Sequence, residues 1–231
     1  MRRIICITLS MMLLVFVMAV SANIACAAAG IKVGDVIQFG AYSWRVLDIQ
    51  NGKALMLSDG IIEQRAYNEV RADVTWRTCT LRQYLNGEFY NNEFLAEEKA
   101  RIAETRIFND NNPWYGTSGG DAIIDKIFLL SVEEVVRYFG DSGDLKNRKG
   151  WYWENGNFIL KDGRGHLIND EYNSARIAVN AYGAVSWWWL RSPGNFSNNA
   201  AFVDYDGSID FSGYPVLLDG GGIRPALWLN L

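Results

Sequence analysis

Apolar and polar residues alternate with a period of two near both ends of the chain, and with a helical period in several segments between. Val36 to Phe39, Ser43 to Gln50 and Lys53 to Leu57 read as strands. Asn51-Gly52 joins the second to the third, and this dipeptide tolerates the positive φ pair of a tight hairpin. Thr80 is placed to cap a helix whose Leu81, Tyr84 and Leu85 share one face, with Gly87 ending it in a left-handed turn. A second helix is expected over Ala96 to Glu104. Ile127 to Leu130 reads as a short buried strand, and Ser131-Val132-Glu133-Glu134 has the form of a capping box opening a helix that stops at Gly140. From Asp141 to Arg164 the chain is polar and rich in glycine. Trp151 to Glu154 and Asn157 to Leu160 nevertheless flank another Asn-Gly pair, so a hairpin insertion is expected at about 141–165.

The closing strands are Trp187 to Arg191, Ala200 to Tyr205, Ser208 to Phe211 and Ile223 to Leu229. A two-residue turn at Asp206-Gly207 puts Phe202, Ile209 and Phe211 on one face, and Val203, Tyr205, Ser208 and Asp210 on the other. The second face is expected to meet solvent. Pro225 donates no ladder hydrogen bond and so requires an edge or a bulge. No segment repeats with a period of 20 to 50 residues, which excludes solenoids and propellers. The order of elements predicts an α+β fold with antiparallel sheets, two or three helices and a long loop-rich middle.

Arg2 and Arg3, an apolar run from Ile4 to Val20 and the small-residue stretch Ala25-Cys26-Ala27-Ala28-Ala29 have the three parts of a secretory signal, with cleavage expected after Ala27 or Ala29. Residues 1–29 are therefore assigned as a signal peptide and 30–231 as one domain, in a secreted or cell-surface protein. A retained anchor is the alternative, at the short edge of a ~17 to 25 residue span. Lipidation of Cys26 is disfavoured by Asn23, which stands where an aliphatic residue is expected. Past residue 29 only Cys79 remains, which excludes an internal disulfide, so stability must come from the core. A chain of about 200 residues buries roughly 70% of its unfolded surface. The formal charge of −4, and −6 without Arg2 and Arg3, argues against nucleic acid and anionic lipid as partners.

Trp188 to Pro193, Asn199 to Asp204, Asp206 to Ser208 and Ile223 to Trp228 resemble the bacterial proteins grouped as domain of unknown function 6273. In that family a Trp-Trp-Leu-Arg-Ser-Pro element precedes an Asn-Ala-Ala-aromatic-Val-Asp strand, an Asp-Gly-Ser turn and a final Arg-Pro-Ala-Leu-Trp strand. Gly34 to Gly40, Trp44 to Leu47, Thr80 to Gly87 and Asn112 to Thr117 extend the likeness over nearly the whole exported chain. The pattern is similar to C-type-lectin-like folds, including formylglycine-generating-type domains and binding proteins diversified by retroelements. The resemblance implies that the first and last strands pair and bring the termini together.

His166 is the only histidine, which argues against zinc and non-haem iron sites built on several imidazoles. The activities of the formylglycine-generating enzymes, which need more histidines or paired cysteines, do not carry over. A Cys79–His166 dyad remains the nucleophilic option, against the reading of Cys79 as a small core residue. The acidic pairs Asp170-Glu171, Glu97-Glu98 and Glu133-Glu134 are adjacent, and the last two are assigned to solvated helix faces. The loop from Asn109 to Asp121, with Asp125 beyond it, offers hard oxygen ligands; Asp110, Asp121 and Asp125 are the calcium candidates, set against an ordinary turn-rich loop. No cofactor is otherwise required.

Nine tryptophans supply rings for a core or for a sugar platform. Trp44, Trp76, Trp188 and Trp228 are assigned to the core, and Trp114, Tyr115, Trp151 and Trp153 to the surface. Within Trp187-Trp188-Trp189, alternation sends the outer two to one side. Arg191 and Arg224 are expected to be buried ion-pair partners. Asn195, Asn198, Tyr205, Asp206, Ser208, Asp210 and Tyr214, with Trp114 and Tyr115 as neighbours, form the candidate ligand-binding set; Tyr, Asn and Ser together make adaptable contact surfaces, although turns favour them too. The expected function is a binding module for an extracellular protein or glycan, without catalysis. The alternatives are a hydrolase-like extracellular enzyme using carboxylates or Cys79 and His166, and a structural wall component.

Overall fold

A computed structural model describes residues 30–162 and 165–231; for 149–154 and 157–162 only the backbone is described. The expected leader, residues 1–29, lies outside the described residues, and so do the side chains of Trp151 and Trp153. Among the described residues no helix is long and apolar enough to cross a membrane.

Among the described residues the fold is mixed α+β, mostly sheet with few helices and no barrel. The strands in chain order are β1 (Val36–Phe39), β2 (Tyr42–Gln50), β3 (Lys53–Ser58), β4 (Glu63–Gln64), β5 (Thr105–Ile107), β6 (Ile123–Asp125), β7 (Lys149–Glu154), β8 (Asn157–Asp162), β9 (Leu167–Ile168), β10 (Ala178–Val179), β11 (Val185–Ser186), β12 (Trp188–Pro193), β13 (Asn199–Val203), β14 (Ile209–Pro215), β15 (Gly222–Ile223) and β16 (Ala226–Asn230). One sheet has the order β1-β2-β3-β16 and another β4-β15-β12-β13-β14-β9, with three two-stranded ribbons beside them. Both Asn-Gly hairpins form as the sequence predicts: Asn51 and Gly52 have φ of 51° and 71°, Asn155 and Gly156 of 52° and 83°.

Three expectations change. The last strand pairs with β3, not β1, so the first and last strands are opposite edges of one sheet. β12 and β15 run parallel in a fold expected to be antiparallel. The predicted strand Ile223 to Leu229 breaks at Arg224-Pro225, where the chain passes from the six-stranded sheet to the four-stranded one. Pro225, lacking a donor, sits in that crossing, and its carbonyl accepts from Ser58 N at 2.9 Å.

The helices are short: α1 (Thr80–Tyr84) continues through a π-helical turn (Leu85–Phe89) into α2 (Tyr90–Glu93), followed by α3 (Ala96–Arg101), α4 (Val132–Phe139), α5 (Asp144–Asn147) and α6 (Asn173–Arg176). Gly87 does not stop its helix. Phe89 packs against Tyr42, Tyr84 and Phe94, and Asn86 accepts from Lys126 N and Ile127 N, so packing overrides the glycine signal. α3 stops short of the predicted Glu104 because Ala103 N donates to Trp228 O and Ile102 bridges Leu229. The segment predicted as a strand at Ile127 to Leu130 makes only one bridge, Phe128 to Ala226, yet all four residues are buried. The Ser131–Glu134 capping box and the Gly140 terminus of α4 are as predicted. A continuous core joins Trp44, Leu55 and Leu57 of the first sheet to Trp188, Phe202 and Phe211 of the second. Each such side chain stabilises by about 1.5–3 kcal/mol relative to exposure.

Candidate functional site

The Trp187-to-Pro193 stretch is a structural hub. Trp187 and Trp189 share one side of the sheet, their ring centroids 4.7 Å apart, while Trp188 faces the other side under the Arg224 guanidinium at 5.0 Å. Trp188 Nε1 donates to Arg176 O, and Trp189 Nε1 to Arg65 O. Arg191 is buried and pairs with Glu134 as expected. Ser192 Oγ accepts from Val132 N and so caps α4 across the interface. Arg224 is also buried but has carbonyl partners, Ser58 O and Asp59 O, instead of the expected carboxylate. Desolvation pushes its pKa down to about 10, still far enough above neutrality to keep it charged.

The β13–β14 hairpin carries the predicted recognition face, in a different register. The turn is a five-residue loop, Asp204 to Ser208, in which Gly207 N donates to Asp204 O and Asp204 N to Ser208 O. Phe202 therefore stands opposite Asp210, and Val203 opposite Ile209. This one-residue slip from the expected pairing puts Val203 on the side of Ile209 and Phe202 on the side of Asp210, both of them buried. Ser208, the last residue of the loop, is 4% exposed and so is withdrawn from solvent, against expectation.

On that side the Tyr214 ring stacks on Phe202 at 4.0 Å and 11°, and Trp187 meets both edge-on. Phe202 and Trp187 are buried while Tyr214 stays 37% exposed, so one ring face is supported and the residue still reaches solvent. Asp210 holds the bulge that swings Tyr214 there, its Oδ1 accepting from Ser212 N at 2.7 Å and Gly213 N at 3.0 Å. Gly213 has φ of 74°, and a Cβ would lie 2.5 Å from Ala200 O. Burial, then Asp204, Asp210 and Tyr205, raise the Tyr214 phenol; burial, then Asp206 and Asp210, raise the Asp204 carboxyl. Tyr205, Asp206, Asp210 and Tyr214 are thereby gathered with Asp204 and Phe202, two residues that sequence reasoning left out of the site. Asn195 and Asn198 lie half-buried in the β12–β13 connection, at the far end of β13 from Tyr205.

Trp114 is corrected from surface to core: it is 8% exposed and stacks on Phe211 at 3.8 Å. Buried Asn112 holds it there, accepting from Trp114 N and Tyr115 N while donating to Pro193 O and Phe211 O. Tyr115 remains 37% exposed beneath the Arg148 guanidinium. Trp228, assigned to the core, packs against it but is only partly buried.

The calcium candidates do not converge. Asp125 is buried and bonded to Arg82 and Trp76 Nε1, Asp121 pairs with Arg77, and Asp110 is exposed. Among the described residues one carboxylate triplet brings ligand atoms within 4.8 Å, Asp141, Asp144 and Asp170. Asp141 accepts from Asp144 N and Leu145 N, and Asp170 pairs with Arg176 and accepts from Ser142 N, so these two cap backbone. Cys79 is fully buried, donates to Trp76 O, and is pushed up to about 12 by desolvation. Glu133, expected on a solvated helix face, instead buries Oε2 without a hydrogen-bond partner. Desolvation raises its pKa and Asp110 adds to the shift, against hydrogen bonds from its own backbone and Ser131 and the charge of Arg191, which oppose it.

Residues 51–231 match the model of a family described as Domain of unknown function (DUF6273). No curated protein and no solved structure matches the chain.

Proposed function

The chain belongs to the family described as Domain of unknown function (DUF6273), whose name assigns no activity, and we propose that it is a non-catalytic binding module recognising an extracellular protein or glycan. The recognition face is the β13–β14 hairpin: Tyr214, Tyr205, Asp204, Asp206 and Asp210. The observation that carries this reading is Tyr214 stacked on buried Phe202, a ring pre-placed at low entropic cost for a flat apolar ligand surface. The surrounding carboxylates accept hydrogen bonds from hydroxyl or ammonium groups and disfavour anionic ligands. The leader pattern supports secretion or surface display, and the two-sheet α+β architecture is read as C-type-lectin-like. No metal or other cofactor enters the proposal. The hydrolase alternative centred on Cys79 is disfavoured because a buried neutral thiol is a poor nucleophile.

Binding to glycan arrays and pull-down from cell surfaces test the face. Tyr214→Ala and Tyr205→Ala are each expected to weaken binding about tenfold, the equivalent of ~1.4 kcal/mol for a central aromatic contact. Unchanged binding in both variants would remove the face.

A further inference from the structure

A groove between α4 and the β5–β6 ribbon lies outside the hairpin face. Its deeper part is a cleft of about 280 Å³ lined by Phe108, Asp110, Glu133, Glu134, Arg191 and Trp228. A second hollow of about 260 Å³ adjoins it and shares Thr105, Arg106 and Trp228. Two residues of the cleft carry buried polar atoms without partners: Glu133 Oε2, an acceptor, and Arg191 Nε, a donor. Arg191 is 6% exposed, and the rest of its guanidinium is committed to Leu129 O, Phe108 O and Glu134. A buried orphan group asks for a partner, and a hydroxyl answers both, since it donates and accepts from one atom.

The lining selects among hydroxyl-bearing ligands by charge. Arg106, Arg137 and Arg191 balance Asp110, Glu133 and Glu134, so neither an anion nor a cation gains net attraction. Partly exposed Trp228 at the junction of the hollows and Phe108, 60% exposed, supply flat apolar surfaces suited to the C–H faces of pyranose rings. We propose that this groove binds a neutral oligosaccharide, Glu133 accepting from and Arg191 donating to hydroxyls of one sugar while Trp228 stacks beneath the next. The raised pKa of Glu133 fits a carboxyl kept from water until a ligand hydroxyl reaches it.

Calorimetric titration of the folded protein with cellotriose, maltotriose and triacetylchitotriose provides the test, with an oligogalacturonate and a neutral Gly/Ser/Thr hexapeptide as competing probes. Saturable binding of at least one neutral trisaccharide is expected. Glu133→Ala, with folding checked by circular dichroism, should weaken it at least fivefold. Trp228→Ala, checked for folding by circular dichroism, should weaken it similarly, and Tyr182→Ala, at an exposed ring outside both the groove and the hairpin face, should leave it unchanged. Binding of none of the three sugars, tighter binding of the oligogalacturonate or the peptide, or equal affinity in Glu133→Ala overturns the proposal.

Discussion

Burial of Cys79 between Tyr67 and Trp76 holds it as a thiol, with a pKa of about 12. In the native protein it is therefore expected to resist iodoacetamide at pH 8, and to react once the chain is unfolded in guanidinium; mass spectrometry before and after unfolding checks this. Desolvation acts in the same sense on Glu133, but within the carboxylate range. Its folded pKa is raised from 4.5 by desolvation, so the protonated form is the one the fold favours. Its contribution to stability is fully present below 4.5 and is lost as pH rises through the raised folded value. Glu133→Gln should remove that loss, giving at neutral pH a variant of equal or greater stability, by up to about 1 kcal/mol, in denaturant titrations. Asp125 and Asp121 are occupied by Arg82 and Arg77, so chelation with EDTA is expected to leave the unfolding temperature unchanged in differential scanning calorimetry.

Turn geometry governs the elements. The β13–β14 loop works because Gly207, at φ of 84°, passes so close to α6 that a Cβ would lie 1.9 Å from Asn173 O. Gly207→Ala should therefore cost at least about 2 kcal/mol, read as a shifted denaturant midpoint, through combined steric and backbone strain. That glycine was legible as a turn residue, but the loop length was not. Two-residue and longer loops share the Asp-Gly signature, and here the Asp204 and Ser208 backbones close the longer one. A single residue of difference put Phe202 on the side of Asp210 and Tyr214, which is why Phe202 was missed. α4 shows the opposite case, since its cap is local: Ser131 Oγ accepts from Glu134 N within one turn. Ser131→Ala is expected to cost about 1 kcal/mol by the same measurement.

Across the whole molecule, the Arg224-Pro225 crossing stitches the two sheets together. β15 completes a register beside β12, and β16 covers the edge of β3 along five residue pairs. The edge contact also collects Ala103 and Phe128 through backbone hydrogen bonds to Trp228 O and Ala226. Arg224 itself is buried against Trp188 and two carbonyls, so the crossing is held by polar bonds as well as packing.

The amino-acid order alone determined the features set by neighbours in sequence: the two Asn-Gly hairpins, the α4 cap and stop, the burial of Trp44, Trp76 and Trp188, and the alternation of Trp187, Trp188 and Trp189. These depend on backbone φ preferences and side-chain periodicity, which act over a few residues. Only the tertiary structure decided that Trp114 goes inward while Trp228 is left partly exposed at the core's edge, that Glu133 is largely desolvated, that Gly87 continues a helix, and that the first and last strands share a sheet without pairing. Each depends on a partner far along the chain, Phe211 for Trp114 and Ala103 for the strand bearing Trp228. Burial and register are properties of such meetings, so local pattern could not specify them.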